Sequence, residues 1–149
     1  MKKTVLAVLL LVSCLLFACS HTSGAKEILL EFCAEYPIDA DVYSSLLTER
    51  DQGYVDTEML LSLYGVEEYP TRDFALVFYG KVGTVREIGV FVTETGAERA
   101  EIIELADNRI SFLSSFADGE GFVKKYGEVI VYGFVEDASY AVGLFDGLL

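Results

Sequence analysis

The sequence has no tryptophan, two prolines, three cysteines and a single histidine, His21, in 149 residues. Histidine is the usual general base beside a serine or cysteine nucleophile and a frequent zinc ligand. One histidine cannot build a multi-histidine metal site, and His21 lies in a short polar segment two residues after Cys19. We therefore expect no metal, no cofactor, and neither a serine nor a cysteine hydrolase.

The start of the chain has the layout of an export signal. Lys2 and Lys3 give it a positive beginning, residues 5–17 are almost entirely apolar, and Leu16-Phe17-Ala18-Cys19 closes the segment. The apolar stretch is shorter than the roughly 20 residues that a spanning helix needs. Polar residues follow it directly, so a permanent transmembrane anchor is not expected.

Two processing routes are open at this site. An ordinary signal peptidase cuts after small residues, whereas the lipoprotein peptidase cuts before a cysteine that carries lipid. Leu16-Phe17-Ala18-Cys19 resembles the bacterial lipobox, from which Phe17 departs because a smaller residue is usual there. We predict a lipoprotein signal peptide over residues 1–18, a lipid such as palmitate on Cys19, and a tether over residues 19–26. The membrane lipid would hold the chain at the extracytoplasmic face of the cell membrane.

Basic residues are scarce, since 11 lysines and arginines stand against 24 aspartates and glutamates, a formal net charge of −13. The chain from Cys19 onward keeps nine of the basic residues against all 24 acidic ones, which makes its formal charge −15. Phosphates of nucleic acids and anionic headgroups repel such a surface. We expect no nucleic-acid partner, and lipid rather than a basic patch must hold the chain at a membrane.

The three cysteines leave no pair for an internal disulfide. Cys14 lies in the signal and Cys19 is the lipid site, so Cys33 is single. A single cysteine outside the cytoplasm is either a reactive thiol or a small apolar core residue. The apolar neighbours of Cys33 favour packing.

Residues 27–149 are predicted to form one domain, whose first half is helical in short pieces. Helical spacing predicts one helix before Pro37, one capped by Asp41 and one ended by Gly65. Their apolar positions are Ile28, Leu29, Phe32 and Cys33, then Val42, Leu46 and Leu47, then Met59, Leu60, Leu63 and Tyr64.

From Phe74 onward, runs of β-branched and aromatic residues predict two hairpins, Phe74–Tyr79 with Ile88–Val92 and Val129–Val135 with Tyr140–Phe145. Between them, Thr95-Gly96-Ala97-Glu98 opens the longest helix, and residues 122–126 are predicted to add one helical turn. The apolar stripe of that helix is Ile102, Ile103, Ala106, Ile110, Leu113 and Phe116. We predict an α+β fold, with an antiparallel sheet of about four strands packed against the long helix and short N-terminal helices.

Alternation along the predicted strands separates an aliphatic face from a face that is richer in aromatic rings. We expect the long helix to cover the aliphatic face. Tyr79, Phe91, Tyr132 and Phe134 would then be a candidate binding surface for an envelope protein or a glycan. Packing of the same rings in the core is the preferred interpretation.

Carboxylates are the only abundant reactive groups, and glycoside hydrolysis needs two of them flanking a sugar. The candidate pairs are Glu67-Glu68, Glu101 with Glu104, and Glu136-Asp137. A solvated turn or helix face explains each pair better, because paired carboxylates are common in so acidic a chain.

Two acidic segments, residues 39–41 and 118–121, offer oxygen atoms of the kind that bind Ca²⁺. Counted from Asp39, the calcium-loop pattern fails, because Ser44 stands where glycine is needed and Arg50 where glutamate is needed. Helix capping and turns are the preferred interpretation.

Several segments together resemble a known family. They are residues 59–66, which include Leu63-Tyr64-Gly65, the strand Arg86-Glu87-Ile88-Gly89-Val90-Phe91, the helix from Ala97, and Tyr126-Gly127. From about residue 38 onward the chain resembles small lipoproteins of Gram-positive gut-type anaerobes, which are built around a domain of unknown function. This resemblance implies export, lipidation and the α+β fold, and it supplies no catalytic residues.

Taken together, these patterns favour a membrane-anchored extracytoplasmic lipoprotein whose domain is a non-enzymatic binding or scaffolding module. A cell-envelope hydrolase that uses paired carboxylates is the alternative.

Replacing Cys19 by serine should abolish lipid labelling, because the thioether that carries the lipid needs the thiol. The measurement is incorporation of labelled palmitate into the full chain, and Cys33→Ser is the matched control that should label normally. Palmitate incorporation by the Cys19→Ser variant would contradict the lipidation site.

Overall fold

The computed structural model describes residues 23–36, 38, 40, 42–44, 57–67, 69–80 and 84–149. The predicted signal peptide, Cys19 and most of the predicted tether lie outside these residues. Among the helices of the described part, none has the length and apolar composition that crossing a membrane requires.

Helix α1 spans Ala25–Glu35, and therefore begins two residues inside the predicted tether. Its N-cap, Gly24, has no side chain to accept a hydrogen bond. The Asp73 carboxylate takes this role from elsewhere in the chain, accepting the Ala25 N–H at 3.2 and 3.3 Å. The first predicted helix is confirmed, and its buried residues are Ala25, Ile28, Leu29 and Phe32.

Strand β1, Val42–Ser44, lies where the second helix was predicted to begin, and that part of the prediction is wrong. Valine and tyrosine favour strands, and a sheet edge is available to pair with them. Leu46 and Leu47 lie outside the described residues.

Helix α2 spans Thr57–Tyr64, which confirms the third predicted helix. It ends at Gly65, whose φ of 69° suits a residue without a Cβ. The Gly65 N–H donates to the Ser62 carbonyl and the Val66 N–H to the Leu61 carbonyl, at 3.3 and 3.1 Å. This pair of bonds is the Schellman arrangement, and it satisfies two carbonyls of the last turn.

Strands β2, Asp73–Tyr79, and β3, Arg86–Val92, form the first predicted hairpin. Asp73 pairs with Val92 at one end of it and Tyr79 with Arg86 at the other. Helix α3, Gly96–Ser114, follows as the predicted long helix. Thr95 and Glu98 form a capping box at its start, in which the side chain of each residue accepts the backbone N–H of the other.

Strands β4, Glu120–Tyr126, and β5, Val129–Val135, form the second hairpin, with Gly127 at a φ of 62° in the turn. The predicted pairing of Val129–Val135 with Tyr140–Phe145 is therefore wrong, as is the helical turn predicted over residues 122–126. The strand pattern of β4 is weak, because the strand begins with Glu120 and Gly121 and carries two lysines, and Phe122, 9% exposed, is its one buried residue.

Helix α4, Ala138–Leu148, replaces the predicted last strand. The Asp137 carboxylate caps it by accepting the Tyr140 N–H at 2.8 Å. Ala141 and Phe145, four residues apart, are both buried, whereas Tyr140 is half exposed. A short apolar run fits either a strand or a helix, and here the four-residue spacing and the aspartate cap favour the helix.

The five strands form one antiparallel sheet in the order β1-β2-β3-β5-β4, so β4 is an edge strand. We call the end of the sheet with Asp73, Val92 and Val129 the proximal end, because α1 starts there. The opposite end, with Tyr79 and Arg86, is the distal end. The predicted α+β fold, with two hairpins, a long helix and an N-terminal helix, is confirmed.

Each face of the sheet has its own core. The aliphatic face packs against α1 and α4 through Ala75, Val77, Ile88, Val90, Val129, Val131 and Val135. The aromatic face packs against α3 through Phe74, Leu76, Phe91, Ile130 and Tyr132. The long helix thus covers the aromatic face, and the opposite expectation is wrong because α1 and α4 together fill the aliphatic face.

Gly89→Ala should destabilise the fold, because Gly89 lies opposite Tyr132 and an added Cβ would be 2.2 Å from the Tyr132 Cε1 atom. Tyr132 is fully buried, so we expect a cost of about 1–3 kcal/mol. In the matched variant Gly143→Ala, the added methyl meets no atom within 4 Å, and a gain of up to about 1 kcal/mol is expected. Urea unfolding measures both, and equal midpoints would contradict the packing of β3 on Tyr132.

Candidate functional site

A charged side chain lies beneath the long helix, in the otherwise apolar aromatic face of the sheet. Glu87 of β3 shares this face with Gly89 and Phe91 and is fully buried. Burying an unpaired carboxylate costs far more than burying an apolar group. The partners of Glu87 therefore decide what this part of the protein can do.

Arg109 of α3 supplies the opposite charge. Its Nε donates to the two Glu87 carboxylate oxygens at 3.1 and 3.0 Å, and its Nη2 donates to Oε2 at 2.7 Å. Its Nη1 donates to the Leu63 carbonyl near the end of α2 at 3.3 Å. Since Arg109 is 6% exposed and Glu87 is 0% exposed, the ion pair is shielded from solvent.

Two tyrosine hydroxyls also donate hydrogen bonds to Glu87. The hydroxyl of Tyr64, the last residue of α2, donates to Glu87 Oε1 at 2.7 Å. The Tyr132 hydroxyl from β5 donates to the same oxygen, and the two hydroxyls touch each other. The Arg109 guanidinium also lies 5.3 Å from the centre of the Tyr64 ring. We call Tyr64, Glu87, Arg109 and Tyr132 the Glu87 cluster.

The environment of the Glu87 cluster fixes which groups carry protons. Burial, followed by the charge of Glu87, raises the pKa values of Tyr64 and Tyr132 well above 10.0. Burial acts to lower the pKa of Arg109, but the hydrogen bonds and charge of Glu87 outweigh this and raise it. At neutral pH both phenols are therefore donors and the guanidinium is charged.

The Glu87 cluster is closed to substrates. Both carboxylate oxygens of Glu87 accept hydrogen bonds from inside the cluster, and the carboxylate has no solvent-accessible surface. A general acid or base must lie within hydrogen-bond reach of a reacting group. The cluster instead joins α2, α3, β3 and β5, which is a positioning role.

The four aromatic residues predicted as a binding surface do not share one surface. Phe91, Tyr132 and Phe134 are fully buried on the α3 side of the sheet, so the expectation that they are exposed is wrong. They are covered because α3 lies on this face, and the ring of Phe91 stacks on Tyr132 with centroids 6.0 Å apart. Tyr79 is half-buried on the opposite face, with its ring edge-on to Tyr36 at 6.3 Å.

The predicted carboxylate pairs have different surroundings. Glu101 and Glu104 on α3 border a cleft of about 300 Å³, together with Val66, Pro70, Leu105 and Asn108. Asp137 is engaged as the α4 cap, and its neighbour Glu136 is exposed. Glu67 is exposed, and Glu68 lies outside the described residues. Of the three pairs, Glu101 with Glu104 is the one beside a cavity large enough for part of a sugar.

Cys33 is a free thiol on α1, half-buried against the core of the aliphatic face. Burial raises the pKa of this thiol to about 11, which makes the reactive thiolate scarce at neutral pH. This environment agrees with the predicted apolar packing.

Within the described ranges, no group of three or more histidine, cysteine, aspartate or glutamate side chains is placed to hold a metal ion. Of the two segments weighed as calcium ligands, residues 118–121 lead into and begin β4, and Glu120 accepts the Ala138 N–H at 3.0 Å. Asp39 and Asp41 of the other segment lie outside the described residues.

Exposed aromatic rings do occur, but on the long helix rather than on the strands. Phe112 is 57% exposed and Phe116 is 55% exposed, and their rings meet edge to face with centroids 5.1 Å apart. The Arg109 guanidinium lies 5.5 Å from the Phe112 ring centre, and Leu63 beside it is 42% exposed. We call Leu63, Phe112 and Phe116 the distal patch. Phe116 was predicted on the buried stripe, but α3 ends at Ser114 and the chain turns away.

The sequence contained a signal for the ion pair that was missed. Arg109 interrupts the apolar stripe of α3, three residues after Ala106 and four before Leu113, whereas Glu87 stands next to Arg86 just before the apolar run Ile88–Val92. A charged residue at a position expected to be buried predicts a buried partner of opposite charge, so Arg109 was the informative residue. Tyr64 and Tyr132 gave no comparable signal, because tyrosine is common in any core.

Comparison of the chain with protein-family models, with curated proteins and with solved structures finds no match. The resemblance to small lipoproteins stays a prediction.

Glu87→Gln should strongly destabilise the protein, because it leaves the Arg109 charge buried without an opposite charge. We expect a loss of about 3–5 kcal/mol in the free energy of unfolding. Glu101→Gln, on the exposed side of α3, is the matched control and should change stability by less than about 0.5 kcal/mol. Chemical unfolding at neutral pH makes the comparison, and similar midpoints for the two variants would contradict the role of the ion pair.

Proposed function

We propose that the chain is a lipid-anchored extracytoplasmic protein whose α+β domain acts as a non-enzymatic binding or scaffolding module. Its signal and Cys19 support the anchor, and membrane lipid is the first partner. The second partner in this proposal is an envelope protein or a glycan. The acidic surface, with a formal charge of −15 from Cys19 onward, argues against nucleic acid.

The observation that carries the proposal is that the start of the domain and most of its exposed apolar side chains lie at opposite ends of the sheet. Only five residues lie between Cys19 and Ala25, so the chain from one to the other reaches at most about 20 Å. Asp73 fastens Ala25 to the proximal end of the sheet, which therefore lies towards the membrane in this proposal.

The exposed apolar residues concentrate at the other end. Five of the seven large exposed apolar side chains among the described residues belong to the distal end: Leu63, Val85, Phe112, Phe116 and Tyr140. Phe112 lies 17 residues along α3 from Thr95, or about 25 Å. A domain with its anchor at one end and apolar side chains at the other is suited to presenting a contact surface away from the bilayer.

A second candidate function is a carboxylate hydrolase, and the cleft beside Glu101 and Glu104 is the observation that favours it. Side chains three residues apart on a helix have Cβ atoms about 5–6 Å apart, close to the spacing of the two carboxylates in retaining glycosidases. Both glutamates are exposed, however, whereas the general acid of such enzymes needs an apolar environment to keep its proton at neutral pH. We therefore prefer the binding module.

Incubation of the full lipidated chain with peptidoglycan and glycan fragments separates the two functions. We expect no cleavage product by mass spectrometry, with the Glu101→Gln variant indistinguishable from the parent. Turnover that Glu101→Gln or Glu104→Gln abolishes, while Glu136→Gln retains it, would overturn the binding module in favour of the hydrolase.

A further inference from the structure

Two residues of the distal patch, Phe112 and Phe116, are held by specific contacts within the protein. Phe116 lies in a hydrogen-bonded turn, since its N–H donates to the Leu113 carbonyl at 3.2 Å. Phe112 rests on the guanidinium of Arg109, which the buried Glu87 carboxylate fixes from beneath. An aromatic pair fixed in this way loses little side-chain entropy when it is covered.

Most charged residues near Phe112 and Phe116 in the sequence are acidic. Between residues 100 and 123 the exposed charged residues are Glu101, Glu104, Asp107, Asp118 and Glu120, and the exposed Lys124 and Lys125 follow farther along β4. The one basic residue between residues 100 and 123, Arg109, is buried and neutralised by Glu87. A second copy of the chain would bring the same negative charges together, which disfavours self-association.

We propose that the distal patch is a docking site for a protein segment that presents an apolar face bordered by lysine or arginine. This inference rests on the proposed binding module and names its surface and partner. The rings would supply the apolar contact at the centre, and the surrounding carboxylates would pair with the basic border. Because the patch is at the distal end, the partner approaches from the side away from the anchor.

The test uses a fluorescence probe that the sequence makes unique, because the chain contains no tryptophan. Phe112→Trp keeps an aromatic ring in the patch, and Leu30→Trp on α1, at a residue 47% exposed, is the matched control. Both full lipidated chains are held in phosphatidylcholine vesicles and titrated with a 14-residue amphipathic Lys/Leu helix. A Glu/Leu peptide of the same pattern and a peptidoglycan disaccharide–peptide are titrated in parallel, and protein-free vesicles correct for binding of peptide to lipid.

We expect the Lys/Leu peptide to shift the emission of the Phe112→Trp variant to shorter wavelength in a saturable way, with no shift in the Leu30→Trp variant. The Glu/Leu peptide should bind at least about tenfold more weakly, since close like charges are unfavourable. Raising the salt from about 50 to 500 mM should weaken the Lys/Leu complex by about tenfold, because salt screens exposed charges. Phe116→Ala in the Phe112→Trp chain should weaken it by about tenfold or more, with an unchanged unfolding midpoint.

Three results would overturn the inference: equal shifts from both peptides, the same shift in the Leu30→Trp variant, or no shift with the Lys/Leu peptide. A response to the peptidoglycan fragment alone would make the patch a glycan site and also reject the protein partner. A shift that grows with protein concentration without peptide would identify a second copy as the occupant. The binding module survives each of these results, whereas cleavage of the fragment would reject the module itself.

Discussion

The ion pair between Glu87 and Arg109 is the interaction on which the arrangement of this domain depends. It places a full charge on each side of the contact between the long helix and the sheet, where each charge is tolerable only in the presence of the other. Tyr64 of α2 and Tyr132 of β5 donate hydrogen bonds to the same carboxylate, so these two elements are also joined to Glu87. The directional hydrogen bonds of Arg109 and of the two phenols to Glu87 add to the apolar packing of α3 on the sheet.

These contacts have consequences at the surface. The guanidinium that pairs with Glu87 also contacts the rings of Tyr64 and Phe112, so the buried charge and the exposed aromatic residue belong to one continuous set of contacts. The buried Arg109 in this way orients the ring of Phe112, which is more than half exposed. A side chain near the end of a helix can therefore have a fixed orientation without a rigid loop, because it contacts a buried ion pair.

The sequence predicted those parts of the fold in which local signals agreed with one another. Capping residues, a glycine stop and helical spacing located α2 and α3, and the β-branched run of Phe74–Tyr79 located the first hairpin. The second hairpin was misplaced because β4 is an edge strand with charged and glycine positions, while the uncharged run Tyr140–Phe145 looked more like a strand than β4 does. The face covered by α3 could not be predicted correctly once α4 had been assigned to the sheet.

For the candidate site, aromatic content was a poor guide to exposure, because rings in central strands pack inside. A charged residue within an apolar pattern would have been the better guide.

The position of β4 at the sheet edge matters for the lipid-anchored arrangement proposed above. Copies held in one plane by lipid would share an orientation and meet side by side at high local concentration, so the edge strand of one sheet would face that of another. Lys124 and Lys125 are exposed on this strand and, being neighbours, project from opposite faces of it. Like charges on both faces oppose edge-to-edge growth into a continuous sheet. In that arrangement, two of the few cations of a strongly acidic chain would keep neighbouring sheets from pairing through β4.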